Sequence, residues 1–341
     1  MSDAGRDHRF LLRTGWRRWL GIELVLILLL CLEVGIFSRT GTNFWTTQNF
    51  FEVLRLSVEI GLLAVAMTPV ILTGGIDLSV GSLLGLCAIV FGKLWRDAGF
   101  PPMLAGIATI ALGIGLGGLN GALVTRLRLP PLIVTLGSYS LFRGFAEAIT
   151  KGVDNFTKFP DSFLFLGQGY WFGVVPAQLP LFILVALGVW LLVHRTAFGR
   201  GLRVMGFSPE GALYAGLPVS SRLMIVYGLA GGVSALSSLV YVAHVGQAKA
   251  DAGTGYELLA ITAVVLGGTS IFGGKGSVHG TLLGLAVLAV MKNGLLLSDL
   301  PGELVGIVTG LLLLTVLSGE LFMRFLSRKP PGRGRREGPG Q

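Results

Sequence analysis

Long apolar stretches alternate along the chain with short polar segments. A helix that crosses a bilayer needs roughly 20 predominantly apolar residues. The pattern predicts ten such helices, at residues 20–37, 53–73, 77–92, 103–124, 132–149, 179–194, 223–243, 257–272, 277–296 and 303–321. The chain is therefore predicted to be an all-α, polytopic membrane protein with about ten transmembrane helices.

The predicted helices define three parts of the chain. Residues 1–19 form an N-terminal tail, 20–321 form one transmembrane domain, and 322–341 form a basic tail. The last stretch, 328–341, is rich in Gly, Pro and Arg and is predicted to be disordered. Within the domain, the loop 150–178 is rich in Gly, Pro and aromatic residues, and we expect it to lie at a membrane interface.

The composition supports a membrane protein and excludes several other classes. Hydrophobic residues make up 52% of the chain and charged residues only 13%, whereas soluble domains carry roughly 25% charged residues. The mean hydropathy is +0.75. The chain contains no GxxxxGK[ST] phosphate-binding loop. If ATP drives this protein, a different chain must bind it.

The distribution of positive charge predicts the orientation. With the N-terminus in the cytoplasm, 18 Lys and Arg residues fall on the cytoplasmic side and 6 on the opposite side. Cytoplasmic loops carry the excess of Lys and Arg in membrane proteins. Both tails are therefore predicted to be cytoplasmic. The net charge of +9 comes from basic residues clustered at helix ends, so contact with membrane lipid explains it better than nucleic acid does.

Signatures of catalysis and metal binding are missing from the sequence. The four histidines show no metal-ligand spacing, and there is no HExxH, GxSxG or cysteine cluster. We therefore predict a protein that is not an enzyme and that needs no cofactor or metal.

Two glycine-rich segments are candidates for a transport pathway. The first, 73–86, contains Asp77, and the second covers 267–285. Each is followed by an Asn-Gly pair, at Asn120 and at Asn293. Glycine-interrupted apolar segments at matching positions of two halves point to a transport pathway between inverted repeats, although chance similarity in a chain rich in Gly and Leu is an equal alternative. Asp77 is either the N-cap of the third predicted helix or part of a gate.

The fifth predicted helix carries two further candidates, Thr135 and Arg143. An arginine inside a membrane helix needs a partner or water. Glu147 lies one helical turn further along, so it could pair with Arg143. Local pairing of this kind is the simpler explanation, and a role in the pathway or gate is the alternative.

The loop 195–222 is the longest polar segment between two predicted helices, and it contains signals for a short helix. Ser208 followed by Pro209 and Glu210 reads as an N-cap with proline in the first helical position. Ala212, Ala215 and Gly216 are predicted to place small residues on one face of this helix. Such a helix either inserts into a partner protein or serves as an ordinary connector.

At these residues the sequence resembles the permease subunit of ATP-binding-cassette (ABC) importers of the ribose, arabinose, xylose and galactose class, which also includes rhamnose and autoinducer-2 systems. The resemblance extends over roughly residues 45–318. Its motifs occur at residues 73–82, 120–124, 131–137, 143–144, 159–163, 166–169, 255–258, 267–277 and 293–295. In this family the cytoplasmic loop carries a coupling helix of the form Glu-x-Ala-x-x-x-Gly, which Glu210, Ala212 and Gly216 match. Gly211 departs from the alanine usual at its position.

The resemblance implies a type II importer permease in the bacterial inner membrane. It also implies three protein partners: an ABC ATPase that binds the coupling helix at Ser208, Pro209, Glu210, Ala212 and Gly216, a periplasmic sugar-binding protein, and a second permease copy or a paralogue. The substrate would be a pentose, a hexose, a deoxyhexose or a related sugar. Asp77, Asn120, Thr135, Arg143 and Asn293 would then lie in the translocation pathway or its gate.

Three other functions are compatible with parts of the sequence. A secondary transporter driven by an ion gradient needs ionisable residues deep in its helices, and this chain has few. An ABC permease for branched-chain amino acids is a related alternative. A membrane scaffold without transport activity is the last.

Overall fold

In a computed structural model, the structure describes the backbone of residues 4–298, 301 and 303–327, and the side chains of 22–298, 301, 304–315 and 318. The predicted disorder of 328–341 lies outside the described residues. The helices are α1 (Ala4–Thr40), α2 (Thr47–Leu72), α3 (Val80–Arg96), α4 (Pro102–Arg126), α5 (Pro131–Thr150), α6 (Asp161–Gln168), α7 (Leu179–Arg195), α8 (Ala197–Phe207), α9 (Pro209–Tyr214), α10 (Val219–Val245), α11 (Tyr256–Leu266), α12 (Val278–Leu297) and α13 (Glu303–Ser327). A two-residue antiparallel pair, β1 (Tyr170–Trp171) and β2 (Val175–Pro176), lies between α6 and α7.

The all-α prediction is confirmed, and each predicted helix overlaps an observed one. The prediction for 257–272 was wrong at its end, because α11 stops at Leu266 and Gly268, Gly273 and Gly274 then take left-handed backbone conformations. Within the described residues, α2, α4, α10 and α12 are long and apolar enough to cross a membrane. Helices α7 and α8 count as a fifth only if this bent pair forms a single span. The count of ten stays a prediction.

The centre of the molecule is formed by α2, α3 and α10. Most of α2 from Val58 onward is buried, as is most of α3, and α10 packs against both and against α4. Large aliphatic side chains on α1, α4 and α7, such as Leu24, Met103 and Leu184, are instead half or more exposed. Apolar side chains on the surface of a membrane protein need no protein partner, because lipid tails are as apolar as they are.

Helices α4 and α10 approach closely through glycine. A methyl group at Gly117 would overlap the Tyr227 carbonyl oxygen and lie 3.0 Å from the Gly231 Cα. A methyl group at Gly113 would lie 2.5 Å from the Gly231 carbonyl oxygen. Small residues let membrane helices pack backbone to backbone, which is what stabilises them where water is absent.

We therefore expect Gly117→Ala to destabilise the protein by about 1–3 kcal/mol, because the methyl group has no space and the helices must separate. Gly118→Ala is the matched control: its methyl group meets nothing within 4 Å, so better helix propensity should make it neutral or stabilising by up to about 1 kcal/mol. Unfolding of both variants in detergent with increasing SDS measures the difference. Equal stability of the two variants would contradict this packing.

The connection between α10 and α11, residues 246–255, does not form a helix and runs back along α3. We call it the α10–α11 segment. Ala248 exchanges two backbone hydrogen bonds with Phe156, of 2.8 and 3.1 Å. Further along, the Ala252 carbonyl oxygen faces Gly85, and the Gly253 carbonyl oxygen faces Gly81. The segment therefore follows α3 for about one helical turn before α11 begins.

Candidate functional site

The polar loop 195–222 folds into two helices rather than one. Helix α8 bends by 69° from the axis of α7. The Thr196 hydroxyl oxygen caps it by accepting the N–H of Gly199 at 3.2 Å. Arg203 ties it back to α7 by donating to the Val193 carbonyl oxygen at 3.0 Å. The start of α8 is held from the other side, where Arg222 donates to the Phe198 carbonyl oxygen at 3.3 Å.

Helix α9 has the N-terminal cap that the sequence predicts. The Ser208 hydroxyl oxygen accepts the N–H of Gly211 at 3.0 Å, and Pro209 occupies the first helical position. Glu210 lies in the first turn with its side chain exposed, where a carboxylate is favourable next to the unpaired N–H groups of a helix start. The local chemistry of these residues therefore determines where the helix begins.

The small residues of this motif have different roles from those predicted. Ala212 is fully buried and anchors α9 to the protein. Gly216 lies beyond the helix, with a φ of 74°, and Leu217 donates its N–H to the Ala212 carbonyl oxygen at 3.0 Å. The expectation of a small face through Gly216 was wrong, because α9 ends at Tyr214 and Gly216 terminates the turn.

A group of large side chains around α9 is exposed, and sequence reasoning missed it. Phe207, Leu213 and Tyr214 are 80%, 65% and 90% exposed. With Glu210 they form what we call the α9 surface. Aromatic side chains dominate the energetics of protein interfaces, so this surface has the chemistry of a docking site. The missed signal is the presence of three large hydrophobic residues within one short polar loop.

The opposite side of α8 lies on the two glycine-rich segments. A methyl group at Gly206 would overlap both the Leu72 carbonyl oxygen and the Gly274 nitrogen. Gly274 donates its N–H to the same Leu72 oxygen at 2.8 Å, and the backbones of Gly74 and Gly273 are in contact. Movement of α8 would therefore act directly on the C-terminal end of α2 and on the turn before α12. The proposed sequence repeat itself stays a prediction.

A chain of buried polar side chains joins α3, α4 and α5. Asp77 accepts the N–H of Ser79 at 2.9 Å and its hydroxyl at 2.6 Å. The Ser79 hydroxyl accepts from the Asn120 amide at 3.0 Å, and the Asn120 oxygen accepts from the Ser138 hydroxyl at 2.5 Å. All four residues are at most 7% exposed. Ser79 and Ser138 were not among the predicted site residues.

Asp77 is not the N-cap of α3. The cap residue is Ser79, and Asp77 holds it from two residues earlier. The interpretation of Asp77 as the N-cap was therefore wrong by two residues. Thr135 also supports this region, because its hydroxyl donates to the Ile76 carbonyl oxygen at 3.1 Å. Together these contacts pair the polar backbone where the chain between α2 and α3 is not helical, as burial requires.

Arg143 does not use the predicted partner. Its Nη1 donates to the carbonyl oxygens of Ala250 and Ala252, the latter at 3.1 Å, in the α10–α11 segment. No ion pair between Arg143 and Glu147 is found among the described residues, and the Glu147 side chain is exposed. Arg143 therefore satisfies backbone carbonyls that no helix pairs.

Asn293, near the C-terminal end of α12, pairs with Asn49, near the N-terminal end of α2. Each amide donates to the other's oxygen, at 2.9 and 3.1 Å. The structure thus brings Asp77, Asn120 and Thr135 together and leaves Arg143 and Asn293 in separate contacts. Asp77, Asn120, Thr135 and Asn293 are each at most 7% exposed.

A separate cluster of charges links the end of α3 to the loop after α5. Arg96 bonds to Asp97 at 2.9 Å and to both oxygens of Asp154, at 2.8 and 3.2 Å. Hydrogen bonds from Arg96 hold the pKa of both carboxyl groups below their usual range. All three side chains are solvent-exposed, and exposed ion pairs contribute little stability.

Comparison with known proteins places the chain in a family. A family model described as the permease component of a branched-chain amino acid transport system matches residues 49–317. The ribose import permease protein RbsC of Escherichia coli K12 is 38% identical over 284 residues, which cover 82% of this chain and 87% of the relative. The autoinducer 2 import system permease proteins LsrD are 35% identical in Yersinia enterocolitica and 37% in Klebsiella pneumoniae, covering 82% and 80% of this chain and 85% and 83% of the relatives.

These matches extend through the transmembrane domain, including α8, α9 and the buried polar chain. They confirm the resemblance that the sequence motifs predict, and they agree with the apolar helices of the structure. The chain therefore belongs to the family of membrane permease subunits that includes the ribose and autoinducer 2 import permeases.

Proposed function

We propose that this chain is the membrane-spanning subunit of an ATP-driven importer for a sugar. The observation that carries the proposal is the α9 surface, where a firmly held short helix exposes Phe207, Leu213 and Tyr214. The relatives, which are a ribose import permease and autoinducer 2 import permeases, support a sugar or sugar-like substrate. The family model carries the name of branched-chain amino acid transport, and that alternative is the one to test against.

In this proposal a separate ABC ATPase binds the α9 surface, with Ser208, Pro209 and Gly216 shaping the helix and Ala212 anchoring it. Closure of the ATPase pushes on α9 and α8. Because Gly206 lies against Leu72 and Gly274, the push reaches the C-terminal end of α2 and the turn before α12. ATP hydrolysis itself takes place on the other chain.

The proposed pathway residues act as supports of moving elements. Asp77, Asn120 and Thr135 hold the non-helical connection between α2 and α3 against α4 and α5. Arg143 holds the α10–α11 segment, and Asn293 joins α12 to α2. Because the binding protein selects the sugar in this scheme, the permease needs few contacts of its own with the substrate.

The remaining partners and the location belong to the same proposal. We expect a periplasmic sugar-binding protein on the outer face, a second permease copy or a paralogue, and the bacterial inner membrane with both tails in the cytoplasm. Lipid covers the apolar outer faces. Residues 1–19, 20–321 and 322–341 would then be cytoplasmic tail, permease domain and basic tail.

Uptake assays in a strain that lacks this chain test the function. We expect the deletion to abolish uptake of ribose or another sugar, with no effect on leucine, isoleucine or valine, and plasmid-borne chain to restore it. Uptake should stop when ATP is depleted and survive an uncoupler while ATP is maintained. Loss with the uncoupler alone would favour an ion-coupled transporter, and unchanged uptake of all substrates would favour a scaffold.

Affinity capture tests the partner. The tagged chain, purified from its native membranes in mild detergent, should retain an ATPase with a Walker motif. Glu210→Arg reverses the charge of the α9 surface and should reduce the recovered ATPase at least tenfold. Arg200→Glu is the matched control, because it reverses an exposed charge on neighbouring α8 outside this surface. Equal recovery with both variants would contradict the proposed docking surface.

A further inference from the structure

The α10–α11 segment, residues 246–255, depends on side chains for its position. It contains three glycines with left-handed backbone, Gly246, Gly253 and Gly255, and makes no helix. Backbone groups in a membrane protein must be paired within the protein or with water in a cavity. Two of its carbonyl oxygens, those of Ala250 and Ala252, are paired by Arg143, more than 100 residues away in sequence. This arginine is therefore the main polar tie between the segment and α5.

One nitrogen of the Arg143 guanidinium group, Nη2, is unpaired. Both of its bonds to the segment come from Nη1. Its Nη2 is buried and has no hydrogen-bond partner among the described residues. A guanidinium group presents its donors in a fixed fork and binds carboxylates through two of them. The free Nη2 is thus positioned for a second acceptor.

A carboxylate with an unpaired oxygen faces the same side of α3 as Arg143. Glu257, in the first turn of α11, is 7% exposed, and its Oε2 is buried without a partner among the described residues. A methyl group at Gly81 would overlap Oε2 of Glu257. A methyl group at Gly85 would lie 2.8 Å from Nη1 of Arg143. Gly81 and Gly85 are one turn apart on α3, about 6 Å along its axis. Both charged groups therefore end in the same groove of α3.

This arrangement leaves two opposite charges close together, each incompletely bonded. Burial of a charge is tolerated when it is paired and hydrogen-bonded. In the arrangement seen, Arg143 is engaged by the carbonyl oxygens of the segment and not by Glu257. Nη2 and Glu257 Oε2 are both unpaired, so they do not reach each other in this arrangement. Arg143 therefore has to move to bind Glu257, and we infer that this movement releases the carbonyl oxygens that Nη1 holds.

We propose that Arg143 and Glu257 form a two-position latch for the α10–α11 segment. In one position Arg143 holds the segment on α3 through the Ala250 and Ala252 carbonyls. In the other, Arg143 pairs with Glu257 and the segment leaves α3. The inference rests on the proposed function, because it places this exchange in the transport cycle. Glu257 is a positioning residue in it and acts through Arg143.

The latch predicts opposite effects for its two members. Glu257→Gln keeps the volume but removes the charge that competes for Arg143, so the segment should stay on α3. Arg143→Lys has a shorter side chain, so its ammonium group would not reach the position from which Nη1 bonds both carbonyls, and the segment should leave α3 at rest. A residue that only stabilised the fold would shift both variants in the same direction.

Cysteine labelling follows the segment. The reporter Ala252→Cys replaces a residue that is 2% exposed, in a background with the exposed Cys31 changed to Ser. In intact membranes, Arg143→Lys should raise labelling by a membrane-impermeant maleimide at least fivefold at rest. In the complete complex with binding protein, sugar and ATP, labelling should rise with Glu257 present and stay at its resting level in Glu257→Gln.

ATP hydrolysis gives a second measurement that needs no reporter. Stimulation by the sugar-loaded binding protein should fall at least fivefold in Glu257→Gln, and hydrolysis without binding protein should rise in Arg143→Lys. Glu59→Gln is the matched control, because Glu59 is a buried carboxylate that is bonded to His244 Nδ1 at 2.7 Å. We expect it to change neither labelling nor stimulation.

Several results would overturn the latch. One is a shift of labelling in the same direction for Arg143→Lys and Glu257→Gln. Another is wild-type labelling and ATPase stimulation in Glu257→Gln. A third is a change of labelling or stimulation in Glu59→Gln as large as that in Glu257→Gln. If the wild-type chain fails to import sugar, the proposed function fails instead. The labelling of Arg143→Lys at rest remains interpretable in that case, because it requires neither ATP nor sugar.

Discussion

Tyr214→Asp should reduce ATP-driven import at least 100-fold and leave the chain folded. Tyr214 is 90% exposed and belongs to a helix whose fold depends on Ser208, Pro209 and Ala212. Its replacement therefore removes no internal packing. Central aromatic residues of interfaces contribute at least about 2 kcal/mol and up to several times that, and a buried charge on the docking surface adds a desolvation penalty. Each 1.4 kcal/mol is a factor of ten in affinity.

The measurements are sugar uptake, ATPase recovery in affinity capture, and thermal unfolding of the purified chain. Tyr214→Phe keeps the ring and should retain most of the activity. Leu127→Asp provides a matched control, because Leu127 is 61% exposed in the loop between α4 and α5 and lies outside the α9 surface. Normal uptake by Tyr214→Asp, or an equal loss in Leu127→Asp, would show that the α9 surface is not where the ATPase docks.

Asn120→Leu should destabilise the protein by about 2–5 kcal/mol. Asn120 is fully buried and bonds to both Ser79 and Ser138. The substitution leaves two hydroxyl groups without this partner in the interior, at about 1–3 kcal/mol for each unsatisfied group. It also loosens Ser79, which stands at the N-terminal boundary of α3 and bonds to Asp77, so import should decrease together with stability.

Unfolding in SDS and sugar uptake at two temperatures measure this effect. Ser138→Ala should destabilise the protein less than Asn120→Leu, since it removes one hydroxyl group and leaves only the Asn120 side-chain oxygen without its partner. Ser140→Ala is the control on the same helix, because Ser140 is exposed and its hydroxyl makes only a 3.4 Å contact with the Leu136 carbonyl oxygen. If Asn120→Leu were as stable as Ser140→Ala, the buried chain would not contribute to the fold.

Elements that depend on local physics could be predicted from the sequence with little error. The start of α9 follows from the Ser208 hydroxyl and the fixed backbone of Pro209. The glycine-rich turn before α12 has left-handed backbone at Gly268, Gly273 and Gly274, which favours glycine. The end of α11 was missed by six residues, because the apolar pattern continues through Ile271 and Phe272 after the helix has stopped at Leu266.

The partners of the buried polar residues could not be predicted in the same way. Arg143 and Glu147 are close in sequence, yet Arg143 bonds to a segment more than 100 residues further along. Asn293 likewise pairs with Asn49, 244 residues away. Sequence spacing gives the distance between two side chains only within one helix, whereas these bonds depend on how separate helices pack.

By itself, the sequence determined that this protein spans a membrane, where most of its helices lie, and which family its motifs resemble, because hydrophobicity, caps and glycine turns act over a few residues. Only the tertiary structure decided that Ser79 and Ser138 complete a buried chain with Asp77 and Asn120. It also decided that Leu213 and Tyr214 remain exposed while Ala212 is buried. The physical reason is that hydrogen-bond partners and burial depend on which surfaces meet when the helices pack, and residues far apart in the chain contribute those surfaces.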